Sequence, residues 1–145
     1  MTMEWENIPA DIENWFGFVY VIERLNAKPK ERKFYWGCKQ LKRKITRKPL
    51  KGKTNKRRST TESDWREYYG SSKELQKDID LYGKGQFKRT ILKLCKSKWQ
   101  LKFEELKFQM GNNTLLRSDT YNGIINLRIG KVPFDLRAEY GWVDV

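Results

Sequence analysis

Apolar positions near the start of the chain cluster in two short runs, and the period then lengthens. Phe18-Val19-Tyr20-Val21-Ile22 and Phe34-Tyr35-Trp36 are β-branched and aromatic; Gly17 precedes the first and Gly37 closes the second. Runs of this kind bounded by turn residues predict strands. The polar connection between them, with Asn26 and Pro29, makes the pair a β-hairpin with a long loop. Each strand carries one tyrosine, and pairing brings Tyr20 and Tyr35 near each other on one face. On the hairpin alone both read as ordinary strand residues.

Beyond Gly37 the spacing turns helical. Leu41 and Ile45, four apart, predict one or two turns of helix over Lys39 to Ile45, ended by Pro49. Lys51 to Thr61 reads as a basic loop, free to move without a ligand. Ser71 and Glu74 form a capping-box pattern ahead of a helix from Lys73 to Tyr82, with Leu75, Ile79 and Tyr82 on one stripe and Gly83 as its stop. Phe87 to Cys95 alternates and predicts a third strand, Phe87, Arg89, Ile91 and Lys93 facing one way and Thr90, Leu92 and Leu94 the other. Ser97 caps a helix to Met110 whose stripe is Trp99, Phe103, Leu106 and Met110. Glu104 reads as solvated at the edge of that stripe. Glu105 lies away from it, between Leu101 and Phe108, where an acid is costly unless paired or metal-bound; on the wheel alone it reads as a partly exposed helix acid.

Residues 1 to 14 predict a short acidic helix or arm, with Trp15 packing beneath the first strand; residues 124 to 129 predict a strand or loop. The expected fold is α/β: a small three-stranded antiparallel sheet flanked by helices, in one domain over 1–145. Its core runs over about 16–125, with a basic loop insertion at 46–62 and a C-terminal extension at 126–145.

Charge sharpens this picture. The 145 residues carry 31 Lys and Arg against 18 Asp and Glu, a net +13. Residues 28 to 58 hold 15 of those cations and one acid, Glu31, so the excess sits in one stretch that starts inside the hairpin loop. A clustered basic stripe is the footprint of a phosphate-rich partner, and nucleic acid is preferred to a solvated tail or a membrane surface. The chain has no histidine and only two cysteines, Cys38 and Cys95. That excludes a Ser-His-Asp or Cys-His mechanism and a zinc site. No signal peptide or membrane-length apolar run is visible, so a cytoplasmic location is expected.

Without histidine, hydrolysis must use Tyr, Lys, Arg and carboxylates with a metal. Phe18-Val19-Tyr20 followed by Phe34-Tyr35-Trp36-Gly37 resembles the paired signature of the GIY-YIG nuclease family, with FVY for GIY and YWG for YIG. Tyr68 to Leu75 (YYGSSKEL) and Leu75 to Leu92 (LQKDIDLYGKGQFKRTIL) are similar to its phage-encoded, homing-type branch. Glu105 matches the family's helical glutamate, and Asn122 the asparagine that follows it. The resemblance implies cleavage of double-stranded DNA through one divalent metal, Mg2+ or Mn2+, held by Glu105. It implies a catalytic tyrosine, Tyr20 or Tyr35, its phenolate favoured by nearby cations such as Lys39. It also implies an arginine on the helix after the second motif, for which Arg43 and Arg47 are in reach and Arg89 on the third strand is a further candidate; Arg43 is taken. Lys39, Lys42, Arg47, Lys51, Lys53, Lys56, Arg57, Arg58 and Arg89 are the expected DNA contacts. Monomer and homodimer both stay open. The alternative is a nucleic-acid-binding protein that keeps the fold without catalysis; composition alone also allows a basic ribonucleoprotein component.

Overall fold

Strand β1 (Gly17–Arg24) is the spine of the molecule, paired on both sides. The computed structural model describes residues 4–145, apart from the side chain of Pro29; Met1 to Met3 lie outside the described residues. β1 pairs antiparallel with β2 (Phe34–Gln40) and with β5 (Phe87–Cys95), giving the order β2-β1-β5. Because β1 is covered on both faces, its residues are apolar in sequence rather than alternating, and Phe18, Val19, Tyr20 and Ile22 are all buried.

One face carries the larger core. Helix α1 (Lys73–Tyr82) lays Leu75 and Ile79 against Phe18, Tyr20, Ile22, Phe87 and Ile91, and Trp5, Trp65 and Tyr69 close the cluster. Trp15 packs at its margin, as the sequence suggests. The other face is smaller: helix α2 (Lys98–Gly111) sets Leu101 on Val19 and Cys95. A bulge in the β1–β5 register between Val19 and Tyr20 breaks the alternation of β5. Leu94 therefore joins the large core and Cys95 the small one, and Lys93 leaves the face of Phe87, Arg89 and Ile91.

Four expectations change. First, the stretch predicted as helix and basic loop is a second sheet, β3 (Lys42–Arg47) paired antiparallel with β4 (Arg57–Glu62). Two apolar residues four apart are a weak helix signal, and Ile45, Thr46, Thr60 and Thr61 favour a ladder once a partner strand is present. Second, the α1 cap is Ser72, whose Oγ accepts from Leu75 N–H, and not Ser71. Third, the Trp99–Phe103 stripe of α2 faces the C-terminal extension: the two rings stack, Tyr140 of α3 (Arg137–Tyr140) meets both edge-on, and Trp99 Nε1 donates to the Gly130 carbonyl at 2.9 Å. Met110, at the end of that stripe, is exposed. Fourth, Glu104 is buried, accepting from Tyr140 Oη at 2.9 Å. Residues 124–129 are irregular. Among the described residues no helix is long and apolar enough to cross a membrane.

Candidate active site

The outer edge of β2 organises the site. In a strand, alternate residues aim their backbone groups at the same edge, here Phe34, Trp36 and Cys38. Phe34 is taken by the chain at 119–121: its N–H donates to the Asp119 carbonyl at 2.9 Å, and Tyr121 N–H donates back at 2.7 Å. Trp36 is taken by a side chain that imitates a strand. Its N–H donates to Asn122 Oδ1 at 3.0 Å, while Asn122 Nδ2 and Gln109 Nε2 donate to its carbonyl at 2.7 and 3.0 Å. Cys38 faces Glu105 of α2, whose carboxyl pKa its backbone and thiol act to lower. Asn122 thus positions the edge, and Glu105 stands at the next rung.

A cleft of about 430 Å³ opens here, lined by Tyr35, Ser71, Ser72, Glu105, Gln109 and Asn122 and walled by residues 123–127. Among these lining residues Glu105 is the acid. It is half-buried, and burial raises its pKa against the opposing pull of the Cys38 hydrogen bonds and of Lys102, one turn earlier on α2. Tyr35 Oη sits 3.0 Å from Ser71 Oγ. Burial also raises the Tyr35 phenol; the Ser71 bond opposes this and the Glu105 charge adds to it.

Tyr20 is 1% exposed and lies beneath the cleft, not in its lining. Its ring is 6.2 Å from that of Tyr35 and 6.1 Å from that of Tyr68. Its hydroxyl rests on Gly37: a Cβ there would lie 2.6 Å from the Tyr20 oxygen and 3.0 Å from the Tyr35 ring. Gly70, with φ +83°, also packs against Tyr35, where a Cβ would again stand 3.0 Å from the ring. The absence of a side chain at both glycines makes the slot that Tyr35 occupies. Burial raises the Tyr20 and Tyr68 phenols as well. These shifts run opposite to the one expected of a phenolate favoured by cations, because burial outweighs every neighbouring charge. Lys39 is 2.7 Å from Asp64 and 4.1 Å above the Tyr68 ring, so its charge is already matched.

None of the candidate arginines lines the cleft. Arg43 and Arg47 lie exposed on β3, not on a helix. Arg89 is 3% exposed, donates to the Arg66 and Tyr68 carbonyls at 3.0 and 2.8 Å, and stacks on Trp5 and Tyr69. It ties the segment after β4 to the sheet and is buried rather than displayed on the basic surface. Lys42, Lys51, Lys53, Lys56, Arg57 and Arg58 are all exposed on the second sheet and its connecting loop. Sequence reasoning missed Ser71, Gln109, Tyr68 and Lys102. The motif YYGSS pointed at the first and third, but its serine was assigned to a cap.

A hard divalent ion sets demands that this donor set can be compared with. Among the described residues, no three acidic, Cys or His side chains gather. A small hard cation, however, commonly binds through one or two carboxylates plus substrate phosphate and water. A half-buried carboxylate in the lining of a cleft with Ser, Asn and Gln side chains fits that kind of ligand.

Residues 2–125, well over half of the chain, match the family model described as "Putative endonuclease segE, GIY-YIG domain". No curated protein and no solved structure matches the chain.

Proposed function

The chain belongs to the GIY-YIG endonuclease family, and from that premise we propose that it hydrolyses phosphodiester bonds of double-stranded DNA in the cleft beside β2. The observation that carries this reading is Glu105, the acid of the cleft lining, set against the neutral phenol of Tyr35. Glu105 would hold one Mg2+ or Mn2+, which when bound polarises the phosphate and stabilises the leaving oxygen. Cys38 N–H and thiol orient the carboxylate for that task. Tyr35 Oη accepts a hydrogen bond from the attacking water and positions it, and Ser71 Oγ, exposed beside it, relays the water's proton to solvent as the P–O bond breaks and the leaving oxygen takes up a proton from solvent. Tyr20 and Gly37 fix the ring of Tyr35, so Tyr20 is a positioning residue. Asn122 positions the edge strand.

Incubation with supercoiled plasmid tests the reading. Nicking is expected with Mg2+ or Mn2+ and none with chelator; nicking that continues in chelator would sink the metal. Tyr35→Phe should lower the single-turnover rate about a hundredfold, the low end of what a positioned proton-transfer group contributes, and leave duplex affinity intact. Undiminished cleavage would remove Tyr35 from the mechanism.

The basic segment supplies the grip. Neutralising Lys51, Lys53 and Arg57 together should weaken duplex binding and reduce the slope of log affinity against log salt by about 2 to 3, at roughly 0.9 for each phosphate that is no longer neutralised. An unchanged slope in a salt titration would show that these residues do not meet phosphate.

A further inference from the structure

We infer that the β3–β4 hairpin is a ribbon that enters the major groove of duplex DNA and presents Lys44, Thr46, Arg58 and Thr60 to base edges. The inference rests on the reading that duplex DNA is the substrate, and deepens it by naming the element that senses sequence.

The first observation is architectural. β3 and β4 form their own two-stranded sheet, with pairs from Lys42↔Glu62 to Arg47↔Arg57. The root is held fast. Leu41 is buried and its N–H donates to the Phe16 carbonyl, Ser63 N–H donates to the Leu41 carbonyl, and Trp65 lies in the main core. Six residues per strand carry the ribbon about 20 Å from that root at roughly 3.3 Å per residue. A two-stranded ribbon of these dimensions is what the major groove of B-DNA admits, and the minor groove is too narrow for it.

The second observation is electrostatic. From Lys42 to Arg58 there are ten Lys or Arg and no acid. Arg47 and Arg57 stand directly opposite each other. Like charges across a ladder destabilise it, and an isolated hairpin is marginal in water. The ribbon is therefore built for an environment that supplies negative charge on both flanks, which a groove between two phosphate backbones does.

The third observation separates the two faces. Directly opposed residues share a face. Arg43, Ile45 and Arg47 with Thr61, Ser59 and Arg57 form one, and on it Ile45 and Thr61 are half-buried. Lys44, Thr46, Arg58 and Thr60 form the other with the pair Lys42↔Glu62 at its root, where Glu62 is engaged by Trp65 and Arg66; the first four are exposed and line a shallow hollow with Ser59. A guanidinium with neighbouring hydroxyls is suited to base edges: Arg pairs with guanine O6 and N7, and Thr serves as donor, acceptor or methyl contact. The arginines of the opposite face are left for phosphate.

Dimethyl sulfate tests this, because it methylates guanine N7 in the major groove and adenine N3 in the minor groove. The non-cleaving Glu105→Gln protein is used to saturate a short duplex. Guanine N7 should lose reactivity while adenine N3 keeps it. The protection should vanish when Lys44 is joined to Thr60 through Asn-Gly in the same background, and weaken in Lys44→Ala/Arg58→Ala, whose exposed positions leave the fold intact. Protection of adenine N3 instead, or binding with neither atom protected, would overturn the inference, as would guanine N7 protection that survives the shortened ribbon. Cleavage by the unmutated protein is scored separately. A protein that protects N7 but never cuts would contradict the proposed reaction and leave the ribbon's role standing.

Discussion

Glu105→Gln is expected to slow DNA strand scission by about a thousandfold, the upper scale for removing one preorganised electrostatic element of a hydrolytic site. Duplex affinity should hold or rise slightly, since a negative charge facing phosphate is removed. The variant should also fold as well as the parent. Burial raises the Glu105 pKa above its ordinary value, so the folded protein binds that proton more tightly than the unfolded chain. Such a group contributes stability that is fully present below the unfolded pKa and is lost as pH rises through the folded pKa. Glutamine is neutral throughout and escapes that loss, so the melting temperature at pH 8 should not fall. The same raised pKa places the acid limb of the cleavage profile above the range of an exposed glutamate, about 4.3. More divalent metal should move that limb to lower pH by competing with the proton. Single-turnover nicking, anisotropy on a labelled duplex and a thermal melt measure these three outcomes. Wild-type cleavage in the variant, or a limb indifferent to metal, would remove Glu105 from the metal site.

Gly37→Ala is expected to cost about 2–3 kcal/mol of stability, the upper part of the range for overpacking a filled site. The new methyl would stand 2.6 Å from Tyr20 Oη and 2.9 Å from its Cζ. Tyr20 is 1% exposed and packed against Trp5, Phe18, Tyr35 and Tyr68, so it has nowhere to retreat. The displaced Tyr35 should lower cleavage even at temperatures where the protein stays folded. Gly111→Ala is the control: it sits at the end of α2 with nothing within 4 Å of its added Cβ, and should change stability by no more than about 0.5 kcal/mol. Denaturant titration of the two variants gives the comparison. Equal midpoints would mean that the Gly37 slot relaxes freely.

Much of the frame follows from local pattern. The two strands, the third strand, both long helices, the Ser97 cap and the Gly83 stop all stand where the spacing puts them. The exceptions have two causes. Residues 39–61 carry so few apolar side chains that periodicity says little, and a ladder between β3 and β4 depends on partners as far apart as Lys42 and Glu62. Glu104 is a second kind of exception: the helical wheel sets it at a solvated edge, and it is buried because Tyr140 of α3 covers that side of α2.

By itself the sequence determined the chemistry available to this protein: no histidine, two tyrosines on facing strands, one apolar-flanked glutamate and a concentrated field of positive charge. Those are properties of residue types and their order, and need no coordinates. The tertiary structure alone decided how the parts are assigned. The edge of β2 brings Asn122 and Glu105 to successive rungs, burial takes Tyr20 out of the cleft that Tyr35 lines, and burial raises the Tyr35 phenol. Arg89 is withdrawn into the core, while the cations from Lys42 to Arg58 are raised on a ribbon and its loop. Each of these assignments depends on which atoms are desolvated together, and desolvation is a property of residues far apart in the chain.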